Sequence, residues 1–259
     1  MLGSIAGDII GSVHEWSATK TKDFPLFTAQ SSFTDDSVLT FAVAHQLLDP
    51  RGYADAFHRY VAAYPDRGYG GRFQEWVRSG NRQPYGSYGN GSAMRVSPVA
   101  YAFESLEDVL AEASRSAAAT HDHPEGIRGA QAVAAAVFLA RKGASKSEIR
   151  NTVQDRFKYD LRPTLAAIRP TYSFDETCQG SVPQALIAFL EAADYEDAIR
   201  NAISLGGDAD TLACIAGGIA EAHFGLPPAV GQQALARLPE SLRAVYRAFR
   251  HRFPSGATR

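Results

Sequence analysis

The sequence predicts an all-α protein, and three observations predict it. Apolar residues recur at helical spacing in five stretches, residues 38–48, 109–119, 130–139, 185–190 and 212–224. Alanine, the strongest helix former, is abundant in them. No stretch alternates apolar and polar residues between hairpin turns, as a half-buried strand would. Breakers at Asp49-Pro50-Arg51-Gly52, residues 68–71 and 80–91, Pro163, Pro170 and residues 226–228 divide the chain into roughly ten or more short helices.

The first helix carries Gly3, Gly7 and Gly11 at a spacing of four. Each mid-helix glycine costs about 1 kcal/mol relative to alanine, so three on one face mark a close contact with a neighbour. Gly217 and Gly218, in the last periodic stretch, offer a facing groove, and Asp8 and Glu15 project near that crossing. The next helix opens at Phe33-Thr34-Asp35-Asp36-Ser37. Capping explains part of this, because Thr34 or Asp35 can accept backbone N–H bonds and acids favour a helix N-terminus. Capping does not need all three side chains. The periodic stretch from 212 opens in the same way, at Gly206-Gly207-Asp208-Ala209-Asp210-Thr211. Together the two openings supply four carboxylates and two hydroxyls, hard oxygen donors that suit Mg²⁺, Mn²⁺ or Ca²⁺ and not Zn²⁺. Four carboxylates converging in a cleft would repel one another unless a cation joined them. Spacing alone does not show that the two openings meet.

Between them lies Tyr85-Gly86-Ser87-Tyr88-Gly89-Asn90-Gly91-Ser92-Ala93-Met94-Arg95. Its glycines let backbone approach a ligand, its N–H groups can cradle a phosphate, and Tyr85 and Tyr88 can stack on a base. An ordinary turn has the same composition. Thr120-His121-Asp122-His123-Pro124-Glu125 holds two histidines two apart, but no cysteine or third histidine completes a nitrogen metal site. Hydrogen bonding to a ligand, or helix capping, is the expected use.

Composition bounds the function. A chain of 259 residues, 45% hydrophobic, can bury a sizeable core, and no repeat or linker-like shift divides it, so one domain over residues 1–259 is expected. A net charge of −2 without a basic run excludes a general nucleic-acid coat, while one modified nucleic-acid end can still enter a pocket. Cys178 and Cys214 lack CxxC spacing and read as reduced thiols. The N-terminus has no basic segment before its apolar run, and the longest nearly uncharged stretch, 129–140, is too short for a bilayer. A cytoplasmic monomer without membrane contact is expected.

The ordered set of motifs resembles the ADP-ribosylglycohydrolase family, which includes bacterial dinitrogenase-reductase-activating glycohydrolases and eukaryotic ADP-ribosyl-acceptor hydrolases. The matching elements are Gly7-Asp8 with Gly11 and Glu15, Thr34-Asp35-Asp36, Gly89-Asn90-Gly91 with Ala93-Met94-Arg95, Thr120-His121, and Gly207-Asp208-Ala209-Asp210-Thr211. They cover most of the chain. Gly86-Ser87-Tyr88-Gly89-Asn90-Gly91 is most similar to the serine-ADP-ribose hydrolase branch. Ser37 and Ala209 stand where many members carry threonine, or threonine or serine.

The resemblance implies a multi-helix orthogonal bundle holding two Mg²⁺ or Mn²⁺ ions, with Thr34, Asp35, Asp36, Asp208, Asp210 and Thr211 as ligands. It implies Glu15 and Asp35 as the catalytic carboxylates. It implies an ADP-ribose groove lined by Gly86, Ser87, Tyr88, Gly89, Asn90, Gly91 and His121, with Tyr88 on the adenine and Tyr85 or Phe73 as a second aromatic. The implied reaction is hydrolysis of the bond between ADP-ribose and an acceptor. The rival expectations are a metal-dependent nucleotide phosphohydrolase and a non-catalytic ADP-ribose-binding module.

Overall fold

The computed structural model describes residues 1–254. Its helices are α1 (Leu2–Gly11), α2 (Asp35–Leu48), α3 (Tyr53–Ala63), α4 (Gly71–Arg78), α5 (Gly91–Met94), α6 (Val99–Ala102), α7 (Leu106–Ala118), α8 (Pro124–Arg141), α9 (Lys146–Phe157), α10 (Leu165–Ile168), α11 (Cys178–Leu190), α12 (Tyr195–Ile203), α13 (Ala209–Phe224), α14 (Pro228–Ala236) and α15 (Glu240–Arg252). Among the described residues there is no strand, and an isolated bridge joins Gly89 to Thr177. The all-α expectation holds, and each of the five periodic stretches lies in a helix, 109–119 running one residue past α7.

Side chains start many of the helices. Thr34, Ser105, His123, Ser145, Thr164, Thr177 and Asp194 each accept a backbone N–H of the first turn. At α9 the contact is reciprocal, with Glu148 reaching back to the Ser145 N–H.

Helix α13 is the axis of the core. It is buried from Ala209 through Ala220 and packs against α1, α8, α11 and α12. Helix α1 is buried on every side, and the glycine face explains how. A Cβ on Gly3 would stand 2.5 Å from the Gly217 carbonyl oxygen, and one on Gly7 would collide with the Ala213 carbonyl. A Cβ on Gly11 would stand 2.5 Å from the Asp210 Cα. The two backbones therefore touch along the whole of α1. The Tyr195 hydroxyl donates to the Gly3 carbonyl, and the Gly3 N–H donates to Glu221, which fixes the register. This crossing brings the end of α1 against the start of α13, where the acidic motif lies. Cys178 and Cys214 are both free and buried. No helix among the described residues is long and apolar enough to cross a membrane.

Candidate active site

Four helix ends meet around one cavity of about 570 Å³: the C-terminus of α1 and the N-termini of α2, α5 and α13. Asp8 ties the first two together. It is fully buried and accepts from the Thr34 N–H (3.1 Å), the Thr34 hydroxyl (2.7 Å), the Ser37 N–H (3.1 Å) and the Ser37 hydroxyl. Burial pushes its pKa up to about 6 despite these four bonds. Asp8 was not among the expected site residues. Its function here is to set the start of α2.

Capping of α2 falls to Thr34, whose Oγ1 accepts from the Asp36 N–H at 3.3 Å. That leaves both aspartates for other use. Asp36 Oδ2 accepts from the Thr211 hydroxyl at 3.2 Å, across 175 residues of sequence. The two acid-hydroxyl motifs therefore do converge. Asp36 Oδ1 is buried and has no hydrogen-bond partner among the described residues. Glu15, Asp208 and Asp210 each present a carboxylate oxygen within 4.8 Å of the others. Glu15, expected as a catalytic carboxylate, thus stands beside two of the expected metal ligands.

The cluster repels itself. Burial first, then the charges of neighbouring carboxylates, hold Asp35, Asp36 and Asp210 well above the usual carboxylate range. Asp208 is raised by burial. The half-buried Glu15 is pushed up to about 7 by burial and then by Asp208 and Asp8. An all-oxygen donor set with one orphaned buried oxygen fits a hard divalent cation, which would relieve the repulsion and satisfy Asp36 Oδ1.

The glycine loop forms the other wall. It is pinned to the segment before α11 by the Asn90 N–H on the Glu176 carbonyl (2.7 Å) and the Cys178 N–H on the Tyr88 carbonyl (2.9 Å). Gly86 takes a positive φ of 67°, and its N–H donates to Asp122 at 2.8 Å. Ser87 Oγ accepts from the Gly89 N–H. Asn90 does more than line the groove. Its buried Nδ2 donates to Asp208 Oδ2 at 2.8 Å, so the loop also clasps the acidic cluster. His121 is buried against the loop, while Tyr88 is 44% exposed with its ring 5.3 Å from that of His123. Phe73 and Tyr85 both face the cavity.

Sequence reasoning missed the rim. Trp16 and Phe174 are 82% and 44% exposed, and their rings stack at 5.5 Å beside Glu15. They lie 158 positions apart, and an exposed aromatic carries no periodic signal.

A family model described as ADP-ribosylglycohydrolase matches residues 1–255. The chain belongs to that family. ADP-ribosylhydrolase ARH3 of Homo sapiens is 29% identical, over 87% of this chain and 84% of that protein. ADP-ribosylarginine hydrolase Tri1 of Pseudomonas putida is 27% identical, over 88% of this chain and 71% of its own. A solved structure titled ADP-ribosylglycohydrolase-related protein complex superposes with a TM-score of 0.70 at 25% identity, over 97% of this chain and 96% of that one. This ADP-ribosylglycohydrolase is accordingly a hydrolase of glycosidic bonds, with an all-α fold and an acidic group able to hold a metal ion.

Proposed function

We propose that the protein is a metal-dependent hydrolase that frees ADP-ribose from a mono-ADP-ribosylated acceptor. One observation carries the reading. The acidic cluster and the glycine loop line one cavity and are joined by the bond from Asn90 to Asp208. A ligand that carries both a sugar and a diphosphate with its base fits a cavity with both kinds of wall.

In this reading Thr34, Asp35, Asp36, Asp208, Asp210 and Thr211 hold two Mg²⁺ or Mn²⁺ ions. Bound there, the ions supply Lewis-acid polarisation of the ribose diol and a lowered pKa for water. The chain's own residues do the rest. The backbone of Gly86, Ser87, Gly89 and Gly91 cradles the diphosphate, Tyr88 stacks on the adenine, and His121 bonds a ligand oxygen. Binding so far from the sugar fixes the anomeric carbon against the acids. The transition state is oxocarbenium-like, and Asp35 faces the developing positive charge. Glu15, beside Asp208 and Asp210, takes the proton of the attacking water as the bond to the acceptor breaks.

The test is release of free ADP-ribose from arginine, serine, O-acetyl and nucleic-acid conjugates, with Mg²⁺ and then with excess chelator. Chelator-sensitive release from one conjugate is expected and names the acceptor. AMP and a ribose phosphate would instead make it a phosphohydrolase. ADP-ribose binding without turnover on any conjugate would make it a binding module.

A further inference from the structure

Arg95 is a permanent cation with no exposed surface, at the foot of the cavity. Its guanidinium lies 4.1 Å over the ring of Phe57. Nη2 donates to the Ser116 carbonyl (3.0 Å) and to Thr120 Oγ1 (2.9 Å), while Nε and Nη1 have no hydrogen-bond partner among the described residues. Burying a charge so incompletely satisfied is costly and calls for a use.

The use lies one bond further on. Thr120 is also fully buried, and its Oγ1 is 2.7 Å from His121 Nδ1. A hydroxyl has one hydrogen to donate and two lone pairs. Arg95 occupies a lone pair, so the hydrogen is free for Nδ1. The opposite polarity, with Nδ1–H pointing at Oγ1, would strand the Thr120 hydrogen in a buried site beside a guanidinium. Nδ1 is therefore the acceptor, and the ring proton sits on Nε2. That nitrogen faces the glycine loop: a Cβ on Gly91 would stand 3.2 Å from it, and one on Gly89 3.7 Å. Burial, and then the charges of Arg95 and Arg72, hold the His121 pKa well below its usual value, so the ring carries one proton.

From this geometry we infer that Arg95 and Thr120 form a relay that fixes His121 as the neutral Nε2–H tautomer, a standing donor that selects a phosphate or sugar oxygen over an N–H group. Arg95 and Thr120 are positioning residues, and His121 alone meets the ligand. The choice of ligand rests on the ADP-ribose reading. The tautomer does not.

Long-range ¹H–¹⁵N spectra of the imidazoles test it on the wild-type protein, with His121→Gln identifying the ring. The expected pattern is a protonated Nε2 and an unprotonated Nδ1. Thr120→Ser should keep it. Thr120→Val should give mixed tautomers and weaken ADP-ribose binding by about tenfold, the worth of one hydrogen bond. A protonated Nδ1 in the wild type overturns the relay without needing any variant to fold, and so does an unchanged pattern in a folded Thr120→Val protein. Adding ADP-ribose should shift the Nε2–H signal. A correct tautomer whose signal ignores ADP-ribose upholds the relay and removes the ligand proposed above.

Discussion

Glu15 sits half-buried beside Asp208 and Asp210, and burial first, then the charges of Asp208 and Asp8, raise its pKa. Glu15→Gln keeps the shape and removes the exchangeable proton. Turnover should fall by about two to four orders of magnitude, the usual contribution of a general acid–base, while ADP-ribose still binds. A variant with wild-type turnover would remove Glu15 from the mechanism. Asn90→Ala cuts the link from loop to cluster and should cost about ten- to a hundredfold in turnover or metal affinity, as loss of a ligand's supporting hydrogen bond does. Titration with Mg²⁺ would show which. Residues adjacent in sequence were legible as a candidate site: Thr34, Asp35 and Asp36, and Asp208 and Asp210, because their shared chemistry is local. The bond from Asn90 to Asp208 spans 118 positions, and that from Thr211 to Asp36 spans 175, and no spacing rule reaches that far.

At the scale of the helix, the contact of α1 with α13 depends on absent side chains. Gly7→Ala would push a methyl into the Ala213 carbonyl, and overpacking of this kind costs about 1–3 kcal/mol or more. Denaturant unfolding would measure it, and a loss below about 0.5 kcal/mol would mean that the helices part easily. Gly11→Ala falls on Asp210 itself, so it should reduce turnover out of proportion to stability. This crossing was readable from three glycines at a spacing of four, since mid-helix glycine is otherwise a cost. So were α2, α8, α11 and α13, whose apolar residues are dense. Helix α15 was not, because it is mostly polar and buries only Leu242 and Phe249. Helices α5 and α10 have four residues each, too few to show a period.

For the molecule as a whole, the acidic cluster sets how stability depends on pH. Its carboxylates have folded pKa values above their unfolded ones, so the metal-free folded chain binds more protons than the unfolded chain. Stability of the chelated protein is therefore greatest below about pH 4 as far as these groups decide it, and declines as pH rises through the folded values. The Tm of chelated protein should fall from about pH 5 to about pH 8, and Mg²⁺ should restore more of it at the higher pH. Asp210→Asn should raise the chelated Tm and abolish the gain on adding Mg²⁺. A chelated Tm that does not change with pH would refute the account. The contact of α1 with α13 also has a consequence for birth order. During synthesis α1, carrying Asp8, leaves the ribosome well before α13, since the groove it fits lies about 200 residues downstream. Until α13 emerges, the glycine face of this apolar helix lacks the partner that buries it, and exposed apolar surface of this kind is prone to aggregate. The first and last walls of the candidate site are completed by the same event.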